Sequence, residues 1–160
     1  MRAFLLALLL VACTAGNEDD TDTPPLSDFD TVTSTERPSQ RSEIYGIADE
    51  PSNSIMIFGG NNGPVVNQYP RAVFLEDTWV LVPGEGWSEV QSDQNPSARG
   101  RYAASPDEQN NRAIIFGGRW REAETSGDYT LYNDLWSFDF TSRQWTLLDD
   151  GNGVAPSGRY

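Results

Sequence analysis

The chain has 160 residues, one cysteine, no histidine and a formal net charge of −13, and all eleven of its basic residues are arginine. Its length is that of a single domain, and its negative field repels phosphates, so we predict no nucleic-acid partner. Without histidine, the chain cannot supply a Ser-His-Asp triad or a histidine-rich zinc site.

The first predicted element is a signal peptide over residues 1–12. Arg2 precedes an apolar run from Ala3 to Ala12, which is shorter than the roughly 20 residues needed to span a bilayer and has the form of a secretory signal. The run ends in Leu10-Val11-Ala12-Cys13.

This ending resembles the lipobox of bacterial lipoproteins. The resemblance implies cleavage before Cys13 and diacylation of its sulfur, so that the membrane becomes a partner through a lipid anchor. A multi-acyl anchor holds a protein stably. Thr14 stands where an aspartate would retain a lipoprotein at the inner membrane, so the resemblance favours the outer membrane of a bacterial cell envelope. An ordinary signal peptide with an incidental cysteine is the alternative.

Residues 13–37 are predicted to be a disordered tether. Seven acidic residues and no basic residue lie between positions 17 and 36, and such a segment buries too little apolar surface to offset the entropy of ordering it. Its aspartates lack the glycine turn and distal glutamate of an EF-hand loop. We therefore predict no metal and no other cofactor.

Residues 38–160 contain an internal repeat. An apolar run closed by Phe58-Gly59-Gly60 recurs as Phe116-Gly117-Gly118, 58 residues later. Further matches at offsets of 57 or 58 join Asp77 to Asp134, Trp79 to Trp136, Trp87 to Trp145, and Pro38-Ser39 with Arg41 to Pro96-Ser97 with Arg99. Such self-similarity indicates an array of similar units, which we bound at about 38–95 and 96–155, with a third beginning at Pro156.

Each unit is predicted to hold four β-strands. Short apolar runs (SIMIF, RAIIF), half-buried alternating runs (DTWVLV, DLWSFDF) and short final strands (WSEV, WTLL) are separated by turn residues. A first strand is expected near residues 43–49 and 101–107. The pattern predicts an antiparallel meander in each unit and no helix after the signal peptide.

The order of apolar run, Gly-Gly, spaced aromatic and final Trp resembles the kelch repeat, a β-propeller blade. Trp79 and Trp136 stand where many kelch blades have tyrosine. The resemblance implies an all-β fold of two four-stranded antiparallel blades plus the start of a third. Because propellers have four to eight blades, we expect an N-terminal fragment of an incomplete propeller, with further blades in cis. Closure of the ring by oligomerisation is the alternative.

The residues of the repeat are expected to have structural roles. Gly59, Gly60, Gly117 and Gly118 would permit positive φ and close backbone approach. The repeated tryptophans would bury area between adjacent sheets. The side chains of Arg41 and Arg99 are expected to hydrogen-bond loops of neighbouring blades.

Function is expected in what the repeats do not share, which is the loops over 61–76 and 119–133. The second loop holds Arg119, Trp120 and Arg121, followed by Tyr129. An aromatic beside arginine can stack on a sugar or anchor a protein. The alternative is that Trp120 covers a blade edge and the arginines are solvated.

Enzymatic activity has little support in these residues. Some kelch-type propellers are copper oxidases, which require histidine ligands and a cysteine linked to tyrosine, and this chain cannot supply them. We predict a lipid-anchored, non-enzymatic module that binds or scaffolds protein or glycan. The alternative is the N-terminal part of a carbohydrate-active enzyme with its active site beyond Tyr160.

Overall fold

A computed structural model of the chain describes residues 35–66, 69–123, 127–153 and 156–158. The predicted signal peptide, Cys13 and most of the tether lie outside these residues. No helix within them is long and apolar enough to cross a membrane.

The described chain forms two four-stranded antiparallel sheets, as the repeat predicts. Blade 1 has the strand order β1-β2-β5-β6, and blade 2 repeats this connectivity with β7-β8-β11-β12. The strands are β1 Gly46–Asp49, β2 Ser54–Phe58, β5 Thr78–Val82, β6 Gly86–Val90, β7 Ala103–Asp107, β8 Arg112–Phe116, β11 Leu135–Asp139 and β12 Gln144–Asp149. A single 3-10 turn at Glu108–Asn110 is the helical structure of the described residues. The all-β prediction is confirmed.

The two blades repeat their backbone conformation as well as their sequence. Glu43 and Arg101, which precede the first strands, have φ of 62° and 54°. Asn53 and Asn111, which precede the second strands, have φ of 47° and 51°. Left-handed conformations are uncommon outside glycine, so their recurrence at a spacing of 58 residues identifies two copies of one structural unit.

Each blade carries a small hairpin where the sequence predicted only a loop. In blade 1, β3 Val65–Val66 pairs with β4 Tyr69–Pro70. In blade 2, β9 Arg119–Trp120 pairs with β10 Thr130–Leu131. Strands of two residues are too short for an alternating pattern to identify them.

The core lies between the blades. Met56, Phe58 and Val80 of blade 1 are buried in one cluster with Trp136, Phe138 and Trp145 of blade 2. Trp145 is 1% exposed, packs its ring 5.2 Å from that of Phe58 and donates its indole N–H to Thr78 Oγ1 at 2.9 Å. The prediction that repeated tryptophans bury area between sheets therefore holds at Trp145.

The glycine pair of blade 1 brings the backbones of the two blades together. Gly59 and Gly60 have φ of 57° and 97°, and the amide of Gly60 donates to the carbonyl of Arg99 at 2.8 Å. A Cβ at Gly59 would lie 2.6 Å from that carbonyl oxygen. The conformational role predicted for the glycines is found here.

The side chains of Arg41 and Arg99 bind within their own blades, contrary to expectation. Arg99 donates to the carbonyl of Gly117 at 3.0 Å and to the carboxylate of Asp134. Arg41 binds Gly59 and Asp77 in the same way. The reason is that the glycine corner and the aspartate before the third strand of each blade both lie beside its arginine. Only the backbone carbonyl of Arg99 reaches the neighbouring blade.

Candidate ligand-binding surface

The two hairpins lie side by side at one end of the blades. Each hairpin follows the glycine pair that closes the second strand of its blade. The ring of Phe74 in the first loop meets the ring of Tyr129 in the second, with centroids 6.3 Å apart and planes at 78°. We call the described residues of 61–76 and 119–133 the hairpin surface. It is the largest structure that the repeat pattern does not account for.

Asn61 shapes the first half of the hairpin surface. Its side chain is buried, and its Oδ1 accepts from the amides of Gly63 and Val73, both at 2.9 Å. Its backbone exchanges two hydrogen bonds with Ser42. A buried amide thus holds both ends of the first hairpin.

Arg119 occupies the matching position in blade 2, 58 residues later, where its backbone pairs with Gly100 as that of Asn61 pairs with Ser42. Its side chain is 8% exposed. The guanidinium reaches blade 1, where Nη2 contacts both carboxylate oxygens of Glu43 at 3.2 Å. Arg101 contacts the same carboxylate at 3.3 Å. Arg119 therefore anchors the second hairpin to the neighbouring blade.

Two arginines stack on one tyrosine ring in the second hairpin. The guanidinium carbon of Arg119 lies 4.1 Å from the centroid of Tyr129, and that of Arg121 lies 4.7 Å from it. Arg121 and Tyr129 are half-buried. Such cation–π contacts fix the arginine planes against the ring. Three of the four predicted site residues thus meet in one stack.

Trp120, the fourth predicted residue, lies between the two arginines along β9 and pairs with Thr130. Successive residues of a strand point to opposite sides, so the indole lies on the side opposite the arginine stack. It is half-buried. The second hairpin therefore offers an aromatic group on one side and a cationic stack on the other.

A polar groove beside the first hairpin was missed in the sequence. It has a volume of about 460 Å³ and is lined by Gln40, Arg41, Ser42, Asn61, Asn62, Gly63 and Pro64. The pair Asn61-Asn62 after the glycines was its one visible signal. Amide and hydroxyl groups of this kind suit neutral polar ligands such as sugars.

The most perturbed carboxylates have structural partners. Burial alone would raise the pKa of Asp77, but hydrogen bonds from Arg41 and Trp79 outweigh it and hold this pKa below 3.8. Asp134 has the same environment, formed by Arg99 and Trp136. Within the described ranges, no three His, Cys, Asp or Glu side chains cluster as metal ligands do.

Two consecutive four-stranded antiparallel sheets, packed face to face, define a blade-type β-propeller-like fold. The solved structure of YjhT supports this class, with a TM-score of 0.51 at 14% identity over 72% of this chain and 40% of that chain.

Similarity in sequence is confined to small parts of much longer proteins. No family model matches the chain. A segment of 58 residues, 32% of the chain, is 43% identical to the negative regulator of sporulation MDS3 of Candida albicans. A segment of 108 residues, 66% of the chain, is 30% identical to dynein regulatory complex subunit 7 of Chlamydomonas reinhardtii. The chain spans 4% and 8% of the lengths of these two proteins.

Proposed function

We propose that the chain is a non-enzymatic binding module whose ligand, a protein or a glycan, contacts the hairpin surface. The observation that carries the proposal is the Arg119–Tyr129–Arg121 stack. Arginine and aromatic groups are the side chains most enriched at binding hot spots. In this stack Arg119 is committed to Glu43, whereas Arg121 and Tyr129 are half-buried at the edge. Ligand contact is therefore assigned to Trp120, Arg121 and Tyr129, and support to Arg119.

Preorganisation favours a binding role for these residues. An arginine held against a ring loses less rotamer freedom when it meets a ligand than a solvated arginine does. The hairpin is fixed at its base by Arg119 and by the contact between Phe74 and Tyr129. The neighbouring polar groove adds amide and hydroxyl groups that suit sugars.

A glycan array, with turnover measured on the glycans that bind, tests the proposal. Binding should be lost in Trp120→Ala or Arg121→Ala, and no bound glycan should be cleaved. Arg112→Ala is the matched control, because Arg112 pairs with Asp107 in blade 2, away from the hairpins. Equal losses in control and test variants would contradict the assignment of the site. Turnover of any glycan would favour the carbohydrate-active alternative.

We further propose that the repeats are kelch-type blades. The Gly-Gly corners, the final tryptophans and the Arg–Asp pairs recur in both blades at a spacing of 57 or 58 residues. An alignment of homologues that kept these positions while varying the hairpins would support this interpretation. Homologues that kept the hairpins and varied the corners would oppose it.

For the N-terminus we propose lipid anchoring at Cys13 in the bacterial envelope, at the outer membrane. The proposal rests on the lipobox-like sequence, the preceding apolar run and the acidic tether of about 20 residues, for which coil statistics give a reach of roughly 25 Å. Globomycin, which blocks lipoprotein signal cleavage, should cause the precursor to accumulate in membranes. Processing that is unchanged by globomycin and by Cys13→Ala would refute lipidation.

A further inference from the structure

Blade 2 has an apolar face whose counterpart in blade 1 is completely covered. Phe116 pairs with Leu135 across neighbouring strands, and Ile114 lies two residues before Phe116 on the same side. We call these three residues the open face of blade 2. All three are half-buried. Their counterparts in blade 1, Met56, Phe58 and Thr78, are at most 2% exposed, because blade 2 packs against them.

An open pocket marks the place where a cover fits. It has a volume of about 210 Å³ and is lined by Phe116, Leu135, Asn133, Asp149 and Pro156. At the corresponding place over blade 1, Trp145 fills the space, with its ring 5.2 Å from Phe58 and its indole N–H on Thr78. The pocket therefore has the position of a site for a tryptophan from another blade.

Blade 1 presents the matching face on its other side. Ile55, Leu81 and Trp87 lie on adjacent strands and pair in register, so that their side chains share one side of the sheet. We call them the leading face of blade 1. Ile55 is 39% exposed, and Leu81 and Trp87 are half-buried. Their counterparts in blade 2 are Ala113, Phe138 and Trp145, which are buried against blade 1.

We infer that copies of this chain associate head to tail, with the leading face of blade 1 of one copy docked on the open face of blade 2 of the next. The internal contact between blades supplies the geometry, because each face is the repeat counterpart of one that is already joined inside the chain. Trp87 would enter the pocket beside Phe116 as Trp145 enters the space beside Phe58. Such a contact is heterologous, and repetition of a propeller rotation closes it into a ring.

The contact between copies differs in chemistry from the contact within a copy. Leu135 replaces Thr78, and Ile44 stands where blade 2 has Tyr102. The two side-chain hydrogen bonds that join the blades inside a copy, Trp145 to Thr78 and Tyr102 to the carbonyl of Phe58, have no equivalent acceptor or donor there. The contact between copies is therefore apolar, and it is specified by shape.

The test is the mass of the purified full chain in solution, measured by light scattering after gel filtration. Since propellers close with four to eight blades, we expect about two to four copies per particle. Ile55→Asp, on the leading face of blade 1, and Leu135→Asp, on the open face of blade 2, should each reduce the particle to one copy. Leu147→Asp is the matched control: Leu147 is also 39% exposed, but it lies on the side of β12 that faces blade 1 of the same copy.

Mixing the two variants makes the test decisive. Each variant keeps one intact face, so Ile55→Asp and Leu135→Asp chains should form a one-to-one pair and stop there. An unchanged far-UV circular dichroism spectrum verifies that each variant is folded. A single-copy wild type, particles unaffected by either substitution, or folded variants that fail to pair would each overturn the inference. None of these outcomes depends on ligand binding at the hairpins.

Discussion

Arg99 and Asp134 form a bidentate ion pair at the corner of blade 2, with Nη2 of the arginine 2.9 Å from Oδ2 of the carboxylate. Arg41 and Asp77 repeat the pair in blade 1, with contacts of 2.6 and 2.8 Å. In each case the same arginine also binds a glycine carbonyl and the same aspartate accepts from a tryptophan. The pair therefore fastens the glycine corner of a blade to its third strand.

Asp134→Asn should destabilise the protein substantially. The substitution leaves the guanidinium of Arg99, which is 1% exposed, without its countercharge. Removal of one partner from a buried pair costs about 3 kcal/mol. The midpoint of urea unfolding measures this loss. Asp107→Asn is the control, because its pair with Arg112 is partly solvated and surface pairs contribute less than about 1 kcal/mol. Equal losses in the two variants would refute the structural role of the corner.

The difference between wild type and Asp134→Asn should shrink in acid. Burial raises the pKa of Asp134, but hydrogen bonds from Arg99 and Trp136 outweigh it, so the folded-state pKa lies below 3.8. A lowered pKa stabilises the fold above the unfolded-state value of about 3.9, and this stabilisation is lost as the pH falls through the folded-state value.

Urea midpoints of both proteins at neutral pH and near pH 3 measure this effect. Asp77, Asp107, Asp139 and Asp150 also have lowered pKa values. These four groups are present in both proteins and cancel in the difference. A difference that stayed constant with pH would mean that charge at Asp134 does not contribute.

The repeat and its strands could be predicted because their signals are local. Phe-Gly-Gly and the spaced tryptophans recur at fixed offsets, and the left-handed residues Glu43 and Arg101 share that offset in the structure. The partners of the arginines could not be predicted in this way. Arg99 meets Asp134 across 35 residues and Arg119 meets Glu43 across 76, and the choice between a partner within a blade and one across blades depends on tertiary packing.

The candidate site was predictable only in outline. Loop length and the cluster of Arg119, Trp120 and Arg121 indicated the second hairpin. The sequence did not indicate that Arg119 is buried against Glu43, because that depends on where blade 1 places its carboxylate. It did not reveal the polar groove either, since Gln40 and Asn62 meet only when the first hairpin folds over Ser42.

Tyr102→Phe should weaken the contact between the blades. The hydroxyl of Tyr102 donates to the carbonyl of Phe58 at 2.7 Å, and its loss leaves a buried acceptor unsatisfied, at a cost of about 1–3 kcal/mol. Burial raises the pKa of Tyr102 to about 12. A raised pKa contributes stability that is fully present below the unfolded-state value of about 10 and is lost as the pH rises to 12.

The stability advantage of wild type over Tyr102→Phe should therefore be full at pH 8 and fall as the pH rises above about 10. Denaturant unfolding of both proteins at the two ends of this range is the measurement. An advantage that persisted unchanged in strong alkali would show that the hydroxyl does not titrate at this interface.

Gly59→Ala should damage the same interface through the backbone. A Cβ at this position would lie 2.6 Å from the carbonyl oxygen of Arg99 and 3.0 Å from that of Leu75, and neither oxygen belongs to a flexible side chain. Strain from the positive φ of 57° and the overpacking together should cost about 2–4 kcal/mol. The thermal unfolding midpoint should fall accordingly.

Gly84→Ala separates these two causes. Gly84 has a φ of 83° in the turn between β5 and β6, but nothing lies within 4 Å of the position that a Cβ would take there. Only the conformational cost of about 1 kcal/mol applies to this substitution. A larger loss at Gly59 than at Gly84 would locate the difference in the contact with Arg99. Equal losses would mean that the blades shift apart easily, and that the Gly60–Arg99 hydrogen bond does not fix their spacing.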